Sequence, residues 1–362
     1  GSGPKGRGGR TTQTRSRGRA SRASRDAMTS PRSIPHETAP QAAIHTAWPA
    51  DESLWQTDLA PAEAEFAAFL QRLSANRAQP LVIWCASARA EAKARLALRG
   101  RAEVRRAPYG DVWLRDTGPV FVREAGRLKA VRFRFNGWGG KYELPGDQTI
   151  GEAVARAAGA EIEPCDLVCE GGALEFDGAG TVITTRQCLL NPNRNPRLNE
   201  RQVEDRLKAA LGVSRVIWLD RGLIGDHTDG HVDNLARFVR PGLVACQAPS
   251  GPDDPNASVL NEIARALSKA RDAAGRRLTV ARIPSPGRVE TDGEPAAASH
   301  MNWVIGSRSL VFPAYNSHGA ATGAALKRLF PALDVAPSPA NAILTGGGAF
   351  HCVTCNQPRI EG

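Results

Sequence analysis

The stretch NERQVEDRLKAALGVSRVIWLD, residues 199–220, predicts a helix over 199–211 followed at once by a strand over 215–219. A strand pair comes next, because residues 235–239 and 243–246 flank a Pro241-Gly242 turn, which is a hairpin signal. A helix, a strand and a hairpin in this order define one structural unit of an α/β protein.

The same order of elements recurs from about residue 40 onward. Helices are predicted at 61–78, 88–99, 149–158, 199–211, 256–273 and 320–329. The last four are each followed by a strand, at 161–168, 215–219, 278–283 and 332–336, and further hairpins are predicted within 173–184 and 302–312. These helices begin roughly 50 to 65 residues apart, which favours a circular array of about five units. An ordinary mixed α/β domain with chance alternation is the alternative.

Composition excludes several classes of protein. The chain has 362 residues, 41% of them hydrophobic, so it can bury a sizeable core and is not globally disordered. It contains no apolar run of transmembrane length and no apolar leader of a secretory signal. Seven cysteines, an odd number at irregular spacing, do not form a disulfide framework, so we expect reduced thiols and a cytoplasmic location.

The positive charge is concentrated at one end of the chain. Residues 1–27 contain eight basic residues and one acidic residue, which accounts for +7 of the formal charge of +10. We expect this Gly/Ser/Arg segment to be a disordered tail, and residues 28–362 to form a single catalytic domain. The tail could bind nucleic acid non-specifically. We favour an artificial extension or a misassigned start, with Met28 beginning the native reading frame.

Five polar residues with catalytic chemistry occupy corresponding places in the repeated order. Most lie beside glycines just before a predicted strand pair: Asp116, Glu170, His231, Asp233 and Cys352. If the units surround an axis, these side chains meet in one central site, where neighbouring glycines allow a substrate to approach the backbone closely.

These residue types together favour chemistry on a guanidinium group. A cysteine nucleophile needs activation because its free pKa is about 8.5, and a histidine can move protons near neutral pH. Three carboxylates around an empty thiol would raise its pKa further, but a planar cation with several donors would neutralise them and favour the thiolate. The set therefore predicts nucleophilic substitution at a guanidinium carbon.

Each residue also has a structural interpretation. Cys352 can be a buried apolar cysteine, Asp116 an ion-pair partner of Arg115, Glu170 a turn residue and His231 a satisfied core histidine. We expect no metal site, because His227 and His231 lack the glutamate of the HExxH zinc pattern. The Cys352-x-x-Cys355 pair lacks the rest of a zinc-deaminase signature and does not open a helix, as a redox dithiol would.

Seven ordered motifs resemble the agmatine deiminase family of the guanidino-group-modifying (pentein) superfamily, which includes Porphyromonas-type peptidyl-arginine deiminases. They extend over nearly the whole body of the chain: AWP at 47–49, WLRDTGP at 113–119, FNGWGGK at 135–141, EGG at 170–172, NPNRNP at 191–196, TDGHVDN at 228–234 and GGGAFHC at 346–352. The resemblance implies a five-bladed α/β propeller of ββαβ units with pseudo-fivefold symmetry.

The resemblance also implies an activity and roles for the residues. The activity is hydrolysis of agmatine to N-carbamoylputrescine and ammonia in putrescine biosynthesis, without metal or cofactor. Cys352 would be the nucleophile and His231 the general acid/base. Asp116, Glu170 and Asp233 would hold the guanidinium, and Trp113 would line the pocket or pack in the core. We expect a small guanidine as the partner, with no membrane and no specific nucleic acid, while assembly into a homo-oligomer stays open.

Three segments depart from the pattern of the family. They are HMNW at 300–303, YNSH at 315–318 and CNQP at 355–358. We expect none of them to touch the catalytic set, although they could shape the pocket for the far end of the substrate. The alternatives are therefore a deiminase of free or peptidyl arginine, an inactive pentein scaffold, or a nucleic-acid-binding protein that uses its basic tail.

Overall fold

The computed structural model describes residues 1, 3, 31–316 and 319–360. The prediction of a disordered tail over residues 1–27 falls almost wholly outside this range, as does half of the 315–318 segment. Within it, no helix combines the length and the apolar character needed to cross a membrane. All seven cysteines are described, and each of them is free, as the sequence predicts.

Five sheets of three or four strands follow one another in an α/β fold. The first contains Gln41–Ala47, Leu81–Cys85, Glu103–Arg106 and Thr354–Pro358. The second contains Val120–Glu124, Arg127–Arg134 and Glu161–Val168, and the third Glu175–Phe176, Thr181–Thr185 and Arg215–Leu219. The fourth contains Ala236–Arg240, Leu243–Ala248 and Thr279–Pro284, and the fifth Val304–Ile305, Ser309–Ala314 and Asp334–Pro339. A separate hairpin joins Glu290–Thr291 and Glu294–Pro295.

Each sheet combines one antiparallel pair with a parallel strand that is reached through a helix. The connecting helices are Leu59–Leu73, Asp147–Ala157, Glu200–Leu211, Ala257–Lys269 and Gly319–Leu329, and Ala88–Leu98 adds a further parallel strand to the first sheet. The order of elements predicted from the sequence is therefore confirmed for these units.

The helix Glu200–Leu211 illustrates why the sequence folds in this way. Asn199 and Gln202 form a capping box at its start, and Gly212 ends it in the left-handed conformation. Val203, Leu207 and Leu211 lie on one face and are fully buried in a core cluster that the second and third sheets share. The helix thereby fixes the strand that follows it in the sheet.

Two predicted helix ends are wrong. The helix predicted over 61–78 is Leu59–Leu73, because the Ser74 hydroxyl donates to the Leu70 carbonyl at 2.7 Å and Arg77 then turns to a φ of 53°. The helix predicted over 256–273 is Ala257–Lys269, because Ala270 adopts an extended conformation with ψ 156°. In both cases the helical pattern of the sequence continues for a few residues beyond the point where the backbone leaves the helix.

Short helical turns at the entrances of the sheets carry the residues that the sequence singled out. Leu114–Thr117 contains Asp116, Gly171–Ala173 follows Glu170, and Val232–Asn234 follows His231 and contains Asp233. Further short turns lie at Glu52–Trp55, Gln56–Asp58, Gly137–Gly140, Arg186–Leu189 and Asn341–Thr345.

The two ends of the described chain meet in the first sheet. Gln41–Ala47 pairs antiparallel with Thr354–Pro358, so the last strand completes a sheet that the first strand begins. Cys352 lies two residues before that last strand and is thereby brought back beside the amino-terminal part of the fold.

Candidate active site

The structure brings all five predicted catalytic side chains around one point. Each is at most 6% exposed, and each comes from a turn that enters a different strand pair, except for His231 and Asp233, which share one: Asp116, Glu170, His231, Asp233 and Cys352. Contacts between distant segments hold these side chains together. Arg115, the neighbour of Asp116, donates from Nε to the carbonyl of His351, the neighbour of Cys352, at 3.3 Å across 236 residues of sequence.

Gly172 lies at the centre of this group. A Cβ atom on Gly172 would lie 2.6 Å from His231 Nδ1, 2.9 Å from Asp116 Oδ1 and 3.2 Å from Asp233 Oδ2. The absence of a side chain is what allows the imidazole and both carboxylates to converge on the same space.

The thiol of Cys352 is buried among acidic groups. Its Sγ lies 3.6 Å from Asp233 Oδ2 and accepts an N–H from Asn302 Nδ2 at 3.2 Å. Burial, followed by the negative charges of Asp233 and Asp116, raises the pKa of Cys352 well above its usual value. A thiol with such a pKa is uncharged near neutral pH, and a bound cation would make it more acidic.

Asp116 faces His231 from a largely apolar wall. Its Oδ2 accepts the indole N–H of Trp138 at 2.9 Å, and its Oδ1 accepts the backbone N–H of Gly172 at 2.9 Å. Burial raises the pKa of Asp116 to about 6, with a contribution from Asp233 and Glu170, although the charge of His231 opposes the shift.

His231 lies between two carboxylates without a close hydrogen bond to either. Its Nδ1 is 3.8 Å from Asp116 Oδ1, and its Nε2 is 3.6 Å from Glu170 Oε2. Burial lowers the pKa of His231, but the charge of Asp116 and the proximity of Cys188 and Glu170 outweigh it, so the pKa lies well above 6.5. The imidazole therefore carries both of its ring protons at neutral pH.

Glu170 is held in place from behind. The buried guanidinium of Arg194 donates from Nε to Glu170 Oε1 at 2.7 Å and from Nη1 to Asp229 Oδ2 at 2.9 Å. Burial raises the pKa of Glu170, but His231 and Arg194 together bring it below its usual value. Glu170 thus stays ionised with its other oxygen directed at His231.

A cavity of about 350 Å³ leads from the surface to Cys352. Trp113 lines it, as the sequence suggested for the pocket, and stacks on Trp55 with ring centroids 6.1 Å apart. Both indoles donate to Asp111, from Trp55 at 2.9 Å and from Trp113 at 2.8 Å. One part of the wall is therefore aromatic, and Asp111 holds its two indoles in place.

Comparison with known proteins identifies relatives over nearly the whole described chain. The profile of the Porphyromonas-type peptidyl-arginine deiminases matches residues 33–358. An agmatine deiminase of Stutzerimonas stutzeri is 40% identical over 354 residues, covering 90% of this chain and 95% of the relative. An agmatine deiminase of Pseudomonas aeruginosa is 37% identical over 353 residues, covering 90% and 95%. The chain belongs to the Porphyromonas-type peptidyl-arginine deiminase family.

Solved structures resemble this member of the family closely. An agmatine deiminase of Enterococcus faecalis superposes with a TM-score of 0.86 at 26% identity, covering 93% of this chain and 98% of its own. A C. jejuni agmatine deiminase with substrate bound has a TM-score of 0.83 at 25% identity, covering 91% and 97%. A saxitoxin-pathway amidinotransferase shares only the fold, with a TM-score of 0.54 at 11% identity.

The sequence predicted that the segments at 300–303, 315–318 and 355–358 do not touch the catalytic set, and this prediction is wrong for the first of them. Asn302, within the 300–303 segment, touches the predicted nucleophile: its Nδ2 donates to Cys352 Sγ, and its Oδ1 accepts the backbone N–H groups of His351 at 2.8 Å and Cys352 at 3.2 Å. The sequence could not reveal this contact because 50 residues separate the two side chains. The structure also pairs Arg115 with Glu37 at 3.2 Å rather than with Asp116.

One group in the described part of the chain has donor types that a metal ion accepts. Atoms of Glu170, Cys188 and His231 lie within 4.8 Å of one another, all buried. Arg194 already neutralises Glu170, and two of the three residues belong to the predicted catalytic set. The group therefore overlaps the predicted catalytic set.

Proposed function

We propose that the chain is an agmatine deiminase, which hydrolyses agmatine to N-carbamoylputrescine and ammonia in putrescine biosynthesis. One observation carries the proposal: the thiol of Cys352 and the imidazole of His231 lie among three carboxylates at the end of a cavity. A guanidinium is a planar cation whose N–H groups fit paired carboxylates.

The fold supports this proposal if the five sheets are blades of one propeller with pseudo-fivefold symmetry. Each sheet repeats the order of an antiparallel pair, a helix and a parallel strand, and the predicted catalytic residues lie at the entrances of these units. We propose that residues 28–362 form a single catalytic domain, and that the free state of all seven cysteines reflects the reducing cytoplasm.

Binding would activate the nucleophile. Asp116, Glu170 and Asp233 accept N–H groups of the guanidinium, so their charges no longer disfavour the thiolate of Cys352. The thiol then gives its proton to water in the open cavity, the Asn302 amide N–H stabilises the thiolate, and Sγ lies beside the central carbon.

The reaction proceeds by addition and elimination, twice. The Cys352 thiolate attacks the guanidinium carbon, and the His231 imidazolium gives its proton to the departing nitrogen, which leaves as ammonia. A covalent amidino-thioether remains. Neutral His231 then takes a proton from water, and the resulting hydroxide attacks the same carbon. The C–S bond breaks as the new hydroxyl group gives its proton to the departing sulfur, which returns the Cys352 thiol, the His231 imidazolium and the ureido product.

The far end of the cavity favours an amine over an amino acid. The lining residues in the described chain include three further aspartates, Asp58, Asp111 and Asp292, and no lysine or arginine. An α-carboxylate would lack a cationic partner there, whereas the primary amine of agmatine would meet a negative field. This observation favours agmatine over free arginine.

The substrate is tested by measuring ureido-product and ammonia release from agmatine, arginine and an arginyl peptide. Agmatine is expected to react with the highest kcat/KM, and Cys352→Ala is the control that must be inactive while remaining folded. If another guanidine reacts faster than agmatine, the proposed chemistry would stand, and that guanidine would be the substrate instead. No turnover of any guanidine would favour an inactive scaffold.

The nucleic-acid alternative rests on the basic segment over residues 1–27 alone. Deleting that segment is expected to leave agmatine turnover unchanged. A protein whose function is tail-driven binding would instead lose its affinity for nucleic acid and show no turnover in either form.

A further inference from the structure

A chain of buried charged side chains runs from the rear of the site to the guanidinium position. His351 Nδ1 lies 2.8 Å from Asp233 Oδ2, and His351 Nε2 lies 2.7 Å from Glu37 Oε1. The His351 side chain is 2% exposed and that of Asp233 is fully buried. His351 directly precedes Cys352, so the same short segment carries the nucleophile and this contact.

The geometry defines the protons on His351. An ionised carboxylate only accepts hydrogen bonds, so a histidine between two of them has both ring nitrogens in donor positions. Glu37 is kept ionised for this role. Burial raises its pKa, but the charges of Arg237, His351 and Arg115 hold it well below its usual range. Arg237 also hydrogen-bonds the second oxygen of Glu37.

The consequence for Asp233 concerns both charge and orientation. Burial raises the pKa of Asp233, but the hydrogen bond and charge of His351 reverse the effect and bring it below 3.8. His351 holds Oδ2, the oxygen that lies 3.6 Å from Cys352 Sγ, and the buried Oδ1 has no hydrogen-bond partner among the described residues. Each carboxylate oxygen has more than one acceptor position, so Asp233 can still accept a ligand N–H.

We propose that His351, held by Glu37, is a positioning residue that keeps Asp233 ionised and turned toward the cationic ligand. The inference rests on the proposed guanidine chemistry for its ligand, but not on agmatine as the substrate. His351 itself does not touch the reacting atoms, because Asp233 lies between its imidazole and the ligand position. A residue acting in this way is expected to change cation binding and turnover more than folding.

Two isosteric variants separate the two hydrogen bonds of His351. In His351→Asn the amide nitrogen takes the place of Nδ1 and still donates to Asp233. In His351→Gln the amide nitrogen takes the place of Nε2, so it still donates to Glu37 but leaves Asp233 without its donor. Both variants remove the imidazole, and they differ in which of its two contacts they keep.

With agmatine, kcat/KM of His351→Gln is expected to fall about 10- to 100-fold, and His351→Asn is expected to retain most of the activity that His351→Gln loses. Thermal unfolding of both variants provides the control for folding. Equal losses in the two variants, or losses that follow the decrease in Tm, would mean that His351 has only a structural role.

A second readout does not require a natural substrate. 2-Chloroacetamidine and 2-chloroacetamide have the same shape, but only the amidine is a cation, and both alkylate a reactive thiol. The ratio of their rates at Cys352, measured by mass spectrometry, reports how strongly the carboxylates attract a cation. We expect the ratio to fall in His351→Gln and to persist in His351→Asn.

The two readouts distinguish failure of the inference from failure of the proposed function. If the wild type reacts much faster with the amidine than with the amide but does not turn over agmatine, agmatine is not the substrate. The proposed role of His351 would then still stand. An unchanged ratio in His351→Gln would overturn that role, whether or not agmatine reacts. If His351→Gln does not fold, Glu37→Gln tests the same chain from its far end and is expected to lower the ratio as well.

Discussion

At the scale of single residues, the site holds a thiol and a carboxyl group whose charged forms are disfavoured by burial. Burial raises the pKa of Asp116 and of the Cys352 thiol, and the charge of Asp233 adds to both shifts. The pKa of Asp233 itself is lowered by its contact with His351, although burial opposes this. A cationic substrate would favour the ionised forms of Asp116 and of the thiol when it binds.

Gly172 gives the sharpest steric test of this arrangement. In Gly172→Ala the new Cβ would meet His231 Nδ1 at 2.6 Å and Asp116 Oδ1 at 2.9 Å, so these groups must move apart. We expect kcat/KM for agmatine to fall at least about 100-fold, because small displacements of reacting groups are costly.

The matched control is Gly251→Ala, where no atom lies within 4 Å of the added Cβ. This variant is expected to keep wild-type activity. Wild-type activity in Gly172→Ala would show that the carboxylates and His231 do not meet at this point during turnover.

The acid side of the pH profile reports Asp116. Its pKa of about 6 means that it is protonated, and a poor acceptor of a cation, below that pH, so kcat/KM is expected to decrease as the pH falls through about 6. The indole N–H of Trp138 favours the ionised form, and Trp138→Phe removes it. The acid limb of Trp138→Phe should therefore move to higher pH, by about one unit.

Trp113→Phe is the control for this shift, since Trp113 lines the same cavity but donates to Asp111 at 2.8 Å instead of Asp116. Its acid limb is expected to stay in place. An equal displacement in both variants would assign the limb to a group other than Asp116.

The sequence located the reactive side chains better than the groups that support them. Cys352, His231 and the three carboxylates could be singled out because they share a position beside a turn in the repeated order. Asn302, His351 and Glu37 could not, because their importance comes from contacts between distant segments, such as 314 residues from Glu37 to His351. Their roles, like those of the five, stay predictions until variants are measured.

At the scale of elements, local patterns gave the helices and most strands because each unit forms largely from neighbouring residues. Strand 215–219 has the predicted bounds, and helix 88–99 ends one residue early, at Leu98. The helix ends at Leu73 and Lys269 were overshot, since a hydroxyl bond to the backbone or a single extended residue ends a helix without any change in composition.

The helix Gly319–Leu329 offers a test of the packing between a helix and its sheet. Gly323 lies in its interior, and an added Cβ would lie 3.5 Å from Phe312, an ordinary van der Waals distance. We expect Gly323→Ala to raise the free energy of unfolding by about 0.5–1 kcal/mol, because alanine loses less backbone entropy in a helix.

Gly212→Ala, by contrast, is expected to lower the free energy of unfolding, measured by denaturant titration of both variants. Gly212 has a φ of 70°, and its Cβ would lie 2.3 Å from the carbonyl oxygen of Arg32.

Destabilisation by Gly323→Ala would contradict the first of these two predictions. It would mean that helix Gly319–Leu329 packs more tightly against Phe312 than the structure indicates.

At the scale of the whole molecule, the closure of the chain is what completes the site. The pairing of Thr354–Pro358 with Gln41–Ala47 joins residues more than 300 positions apart, and no local pattern in the sequence indicates which strand meets which. This closure places Cys352 opposite the turns that carry Asp116 and Asp233. The repeated order of elements favoured a circular array of about five units, and the resemblance to a known family implied which strands would close it.

The central claim is that Cys352 forms a covalent bond to the guanidinium carbon of agmatine. The most direct measurement is mass spectrometry of the protein quenched in acid during turnover, followed by mapping of the modified peptide. The account predicts an adduct on Cys352 with the mass of agmatine less one ammonia, which disappears when agmatine is exhausted. Continued release of N-carbamoylputrescine by a Cys352→Ala variant, or an adduct on another residue, would contradict it.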